Sequence, residues 1–88
     1  MVHKIKIYPN HRREIITDGK DFEIRKNDRN YKVGDVVFLN EYDPEKQCLT
    51  GDFTVVKITK IYDISDCFKD TIAFKFVVMY LDNKGYNE

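Results

Sequence analysis

The sequence predicts an α+β, mainly β fold: about five or six strands and one main helix, with the sheet curling into a small pseudobarrel. Three observations predict it. Period-two alternation recurs over residues 3–8, 21–26, 35–42, 52–62 and 71–81. One stretch, Pro9 to Gly19, carries helix punctuation. Several of the strands have apolar residues on both faces, a pattern that a closed or nearly closed sheet buries.

In chain order, His3, Ile5 and Ile7 alternate with Lys4, Lys6 and Tyr8, giving a half-buried first strand. His3 falls on the inward parity, as a buried hydrogen-bonded ring or at the mouth of a cleft. Pro9 suits the first helical turn, where its missing N–H costs nothing. Ile15 and Ile16 give this helix a narrow apolar stripe, with Arg12, Arg13 and Glu14 expected outside. Asp18-Gly19 ends it, because glycine takes the left-handed cap conformation. A helix this short is unstable alone and needs a sheet to pack on.

The next strand, Asp21 to Lys26, is expected to point Phe22 and Ile24 inward and Glu23 and Arg25 to the opposite face. Asn27 to Asn30 is turn chemistry, and Gly34-Asp35 a second turn. Residues 35–42 place Val36, Phe38 and Tyr42 on one face and Val37 and Leu39 on the other. Residues 43–51 read as the longest irregular segment, acidic and exposed, a long hairpin connection to the strand 52–62. Val55-Val56 marks a bulge or burial on both faces of the following strand. Residues 63–70 form a loop or helical turn that tucks in Ile64 and Phe68. Thr71 to Leu81, broken only by Lys75, is expected to be the most buried strand, and residues 82–88 a frayed polar tail.

With 88 residues, the chain is one domain, residues 1–88, with room for one modest core. No apolar run approaches the roughly 18 residues of a membrane span. Met1 leads directly into a strand pattern without a signal-peptide core, so a cytoplasmic location is expected. Cys48 and Cys67 have no metal-site spacing and are not paired with His3 or His11, so no metal and no cofactor are expected. Net charge is zero but unevenly spread, with nine Lys/Arg against five Asp/Glu in residues 1–32 and six against ten in residues 33–88. Such asymmetry suits a basic face that meets phosphates, and also an ordinary solvated surface.

Chemistry concentrates in Phe22-Glu-Ile-Arg-Lys-Asn-Asp-Arg29 and the adjoining Lys20 and Tyr31. Two apart on a strand, Glu23 and Arg25 share a face and can simply pair with each other. With Lys20, Lys26 and Arg29 around them they also make a candidate cleft. Arginine forks fit phosphate or a base edge, and a carboxylate accepts from an exocyclic amine. Tyr31, Tyr8 and Tyr42 offer rings for stacking or for packing.

The run 22–29, followed by Tyr31-x-Val33-Gly34-Asp35, Glu41-Tyr42 and Thr50-Gly51, resembles the small bacterial and phage domains of the ASCH group within the PUA-like superfamily. Lys20, Glu23 and Arg25 fit that group's G-x-K-x-x-E-x-R signature, except that Gly19 directly precedes the lysine. The likeness runs from about His3 to about Tyr62. It implies a PUA-like pseudobarrel with a helix near the cleft and a role in binding RNA. The acetylcytidine amidohydrolase branch of the group uses a lysine, a threonine three residues on and a later glutamate. Lys20 matches the lysine, but Glu23 occupies the threonine position and no residue is assigned to the glutamate. The hydroxyl nucleophile of that branch is therefore missing.

The expectation is a module that binds RNA, a nucleotide or another single-stranded nucleic acid through Lys20, Glu23, Arg25, Lys26, Arg29 and Tyr31, without catalytic residues. The alternatives are a small enzyme of amidohydrolase or ribonuclease type acting on a modified nucleoside or RNA, with Lys20 and Glu23 as acid and base, and a protein-interaction module.

Overall fold

The computed structural model describes residues 1–81; the expected tail, 82–88, lies outside them. Five strands form one sheet in the order β1-β3-β4-β5-β2: β1 Val2–Ile7, β2 Phe22–Lys26, β3 Val36–Asp43, β4 Cys48–Asp63 and β5 Thr71–Leu81. Strand β1 runs parallel to β3, reached through the helix α1 (Pro9–Asp18) and β2; every other pair is antiparallel. The sheet curls into a half-barrel whose edge strands, β1 and β2, face each other across an open seam. This is the α+β, mainly β pseudobarrel expected from alternation.

Burial along β1 alternates as its sequence requires, with His3, Ile5 and Ile7 inside. His3 is buried, and its Nε2 meets Asp35 Oδ2 at 2.7 Å. That same oxygen accepts the Lys32 N–H at 3.0 Å, so Asp35 closes the turn before β3 and fixes the first strand to it. The His3 ring lies 4.7 Å from Tyr31, and Tyr31 lies 5.3 Å from Phe74, in the centre of the core.

Helix α1 begins with Pro9 in its first turn and ends at Gly19, whose φ of +71° is left-handed. The Lys20 N–H turns back to the Glu14 carbonyl at 3.2 Å, which fixes where Lys20 leaves the helix. Ile15 enters the core as expected. Arg12 does not stay outside. It is 0 % exposed, and its guanidinium donates to Thr54 Oγ1 (3.1 Å), Glu41 Oε2 (3.4 Å) and the Phe53 carbonyl (3.2 Å). Thr50 Oγ1 donates to the other oxygen of Glu41 at 3.0 Å. Burial of this cation is compatible with folding because all three donor nitrogens find oxygens.

The parity of β2 is the reverse of the expectation. Glu23 is 5 % exposed, whereas Phe22 and Ile24 are 44 % and 55 % exposed. The cause is register. Glu23 pairs with Phe74 and Arg25 with Ile72, both of which face the interior, and directly opposed residues share a face. Inside the open seam a carboxylate finds cationic partners that an interior apolar strand would not offer.

Three further expectations are corrected. Residues 43–51 do join β3 and β4 as a hairpin, but not a long irregular one: the two strands continue through the pairs Tyr42–Leu49 and Asp43–Cys48, closed by a short turn with Gln47 at φ +56°. Phe68 is exposed, not tucked in. Only the first half of β5 is buried. Ile72, Phe74 and Phe76 enter the core, but residues 77–80 are 44–57 % exposed, although the β4 residues Thr54, Val55 and Val56 that this half of β5 pairs with are buried. Val55-Val56 does mark a bulge in the pairing with β5, and both residues are buried.

Candidate functional site

The seam between β1 and β2 forms a groove in two compartments that share Lys6, Ile24 and Arg25 as lining residues. The first, about 610 Å³, lies beside α1 and adds Tyr8, His11, Lys20, Phe22, Glu23 and Tyr42. The second, about 560 Å³, adds Lys4, Lys26, Asp28, Arg29 and Tyr31.

Glu23 is the hub of the first compartment. Its Oε1 lies 3.2 Å from Lys20 Nζ and its Oε2 accepts from Arg25 Nε at 2.9 Å. Lys20 also lies 3.8 Å from Glu14 of α1. Arg25 Nη2 donates to the Lys6 carbonyl at 2.8 Å, bridging the two edge strands. A polar chain thus runs from β1 through β2 to the helix. Aromatic rings stand on the opposite wall: Tyr8 and Tyr42 are 6.5 Å apart at 30°, and Lys6 Nζ sits 4.4 Å from the Tyr42 ring centre. Lys20 Nζ lies 5.4 Å from the Phe22 ring centre.

The remaining candidates are distributed differently. Arg29 is exposed in the turn after β2 and lines the second compartment. Lys26 lines it too, while its Nζ donates to the Lys69 carbonyl at 2.8 Å, on the loop before β5. Tyr31 lines that compartment but is a buried core residue. Burial pushes its phenol above the usual value of 10, against the pull of the Arg25 and Arg29 charges. The structure therefore brings Lys20, Glu23 and Arg25 into direct contact and sets Lys26, Arg29 and Tyr31 around the neighbouring hollow.

Lys4, Lys6 and His11 were not among the sequence candidates. The signal was present for the lysines, since alternation placed Lys4, Lys6 and Tyr8 on one face. Nothing local revealed that β1 would become the edge opposite β2. Cys48 and Cys67 are free and exposed. Among the described residues no three His, Cys, Asp or Glu side chains converge to hold a metal ion, and no helix is long and apolar enough to cross a membrane.

Chemically, the groove offers six cationic side chains against two carboxylates, interleaved with rings. One similar protein is the phage P2 protein described as "Uncharacterized 12.9 kDa protein in GpA 3'region" of Escherichia phage P2, 31% identical over 71 residues. The match covers 81% of this chain and 63% of that protein, so the chain spans under two thirds of its relative's length. A family model described as "Domain of unknown function (DUF3850)" matches residues 2–81, nearly the whole chain, and the chain belongs to the DUF3850 family.

Proposed function

We propose that this domain binds RNA or another single-stranded nucleic acid in the seam groove, acting in the cytoplasm. The observation that carries the reading is the excess of cations lining the groove of a chain whose net charge is zero. Lys4, Lys26 and Arg29 suit the phosphates of a single strand, and Tyr8, Phe22 and Tyr42 suit its bases. A duplex is not required, because rings stack only on bases that are already free. The Lys20-x-x-Glu23-x-Arg25 pattern, the curled sheet and the helix beside the groove agree with the likeness to ASCH domains of the PUA-like superfamily.

Titration of labelled single-stranded RNA at low and at physiological salt, followed by amide shifts, tests the reading. Shifts along residues 4–8, 20–31 and 42 that weaken with salt are expected. An Arg25→Ala/Arg29→Ala variant with unchanged affinity and unchanged salt dependence overturns it.

One observation favours a second reading. Lys20 and Glu23, a proton-transferring pair by type, are 3.2 Å apart within the groove. An enzyme acting on a modified nucleoside or on RNA would lose turnover in Lys20→Ala and in Glu23→Gln while remaining folded.

A further inference from the structure

Glu23 is out of place in an anion-binding groove, since a carboxylate repels phosphate. We propose that Glu23 is a positioning residue that tunes the groove to a singly charged phosphodiester, in preference to a doubly charged phosphate monoester. The inference rests on the nucleic-acid reading of the groove and specifies its ligand.

The geometry supports it in three steps. Glu23 is buried, and its two oxygens are divided between two cations, Lys20 Nζ on Oε1 and Arg25 Nε on Oε2. It therefore holds both side chains against the wall instead of leaving them to sample solvent. Arg25 is fixed a second time by its Nη2 bond to the Lys6 carbonyl, and among the described residues its Nη1 has no hydrogen-bond partner. One donor group of an otherwise immobilised guanidinium thus remains for a ligand in a groove that Arg25 lines on both sides. Last, Lys20 and Arg25 against Glu23 leave one positive charge, and Glu14, 3.8 Å from Lys20, reduces it further. A phosphodiester carries one negative charge. A terminal monoester carries close to two at neutral pH, and its second charge would lose water beside the Glu23 carboxylate, while the other lysine of this compartment, Lys6, holds its Nζ over the Tyr42 ring.

Glutamine at position 23 would change both properties. Its single amide oxygen can hold one cation, and its NH₂ group would face the other.

Two ligands differing by one methyl group and one charge test this: uridine 5′-monophosphate and its 5′-methyl phosphodiester, titrated by NMR into the wild type and into Glu23→Gln. Tighter binding of the diester by the wild type is expected. In Glu23→Gln the diester should weaken by about ten-fold and the preference should shrink or invert. Equal wild-type affinities, or a preference unchanged by the substitution, overturn the inference while groove shifts keep the binding reading intact. Absence of groove shifts with both ligands and with single-stranded RNA overturns both. If Glu23→Gln does not fold, the wild-type comparison alone decides.

Discussion

Arg25 and Lys6 meet across the open side of the sheet, the guanidinium Nη2 donating to the Lys6 carbonyl at 2.8 Å. This bond crosses the place where a closed barrel would have a ladder. It joins an edge strand of five residues, whose ladder runs to β5 alone, to the edge strand at the far end of the sheet. We expect Arg25→Ala to lower stability by about 1 kcal/mol, a modest figure because water reaches the bond and buried Glu23 keeps Lys20 as a cationic partner. Amide exchange along residues 22–26 should accelerate more than along β4. Urea denaturation and hydrogen exchange measure the two effects, and an unchanged β2 would mean that the clasp is incidental.

Arg12 should be far more sensitive. Arg12→Ala takes the cation away from Glu41 in the interior and leaves Thr54 Oγ1 and the Phe53 carbonyl without its donors. Breaking one side of a buried ion pair costs about 3–5 kcal/mol. An Arg12→Met/Glu41→Leu double variant should regain most of that loss, since apolar replacement of both partners removes the desolvation penalty. Chemical denaturation of the two variants provides the comparison. A double variant no more stable than Arg12→Ala would show that shape, not charge, matters here.

Acid should loosen the junction of β1 and β3. Hydrogen bonding to His3, with help from the Met1 amino group and the Lys32 amide, holds the Asp35 carboxyl at about 2, below its ordinary 3.8. A carboxyl with a depressed folded-state value stabilises while ionised. That contribution is complete above about pH 4 and drains away as pH falls toward 2. Asp35→Asn should lower stability at neutral pH and flatten the stability profile in that acid window. Thermal melts at intervals from pH 6 to pH 2 would reveal it, and parallel profiles for wild type and variant would refute it.

The fold was legible where local chemistry and tertiary context agree. His3, Ile5 and Ile7 alternate in sequence and in burial, and Pro9 and Gly19 bracket the helix in both. The site was half legible. Lys20, Glu23 and Arg25 stood out as a charged run, yet their strand faces the opposite way from a hydrophobicity reading, because register against Phe74 and Ile72 outranks the apolar character of Phe22 and Ile24. Arg12 was illegible, since its partners lie about 29 to 42 residues away and no short-range pattern marks them. Lys4 and Lys6 became groove residues only through strand order, which alternation does not encode.

Rings and cations in the groove should separate cleanly in their salt response. Tyr42 stands in the first compartment, near Tyr8 and under Lys6 Nζ, whereas Arg29 lines the second. Stacking is worth about 1–3 kcal/mol per base and releases no counterions, so Tyr42→Ala should weaken single-stranded RNA with its salt slope unchanged. Arg29→Ala should instead reduce the slope of log affinity against log salt by about 0.7, the loss of one phosphate contact on a single strand. The two effects are independent if base and phosphate occupy separate compartments, and the double variant should then show their sum. Affinities of the four proteins at three salt concentrations settle the point. A reduced slope in Tyr42→Ala would instead mean that its ring acts by holding Lys6 in place.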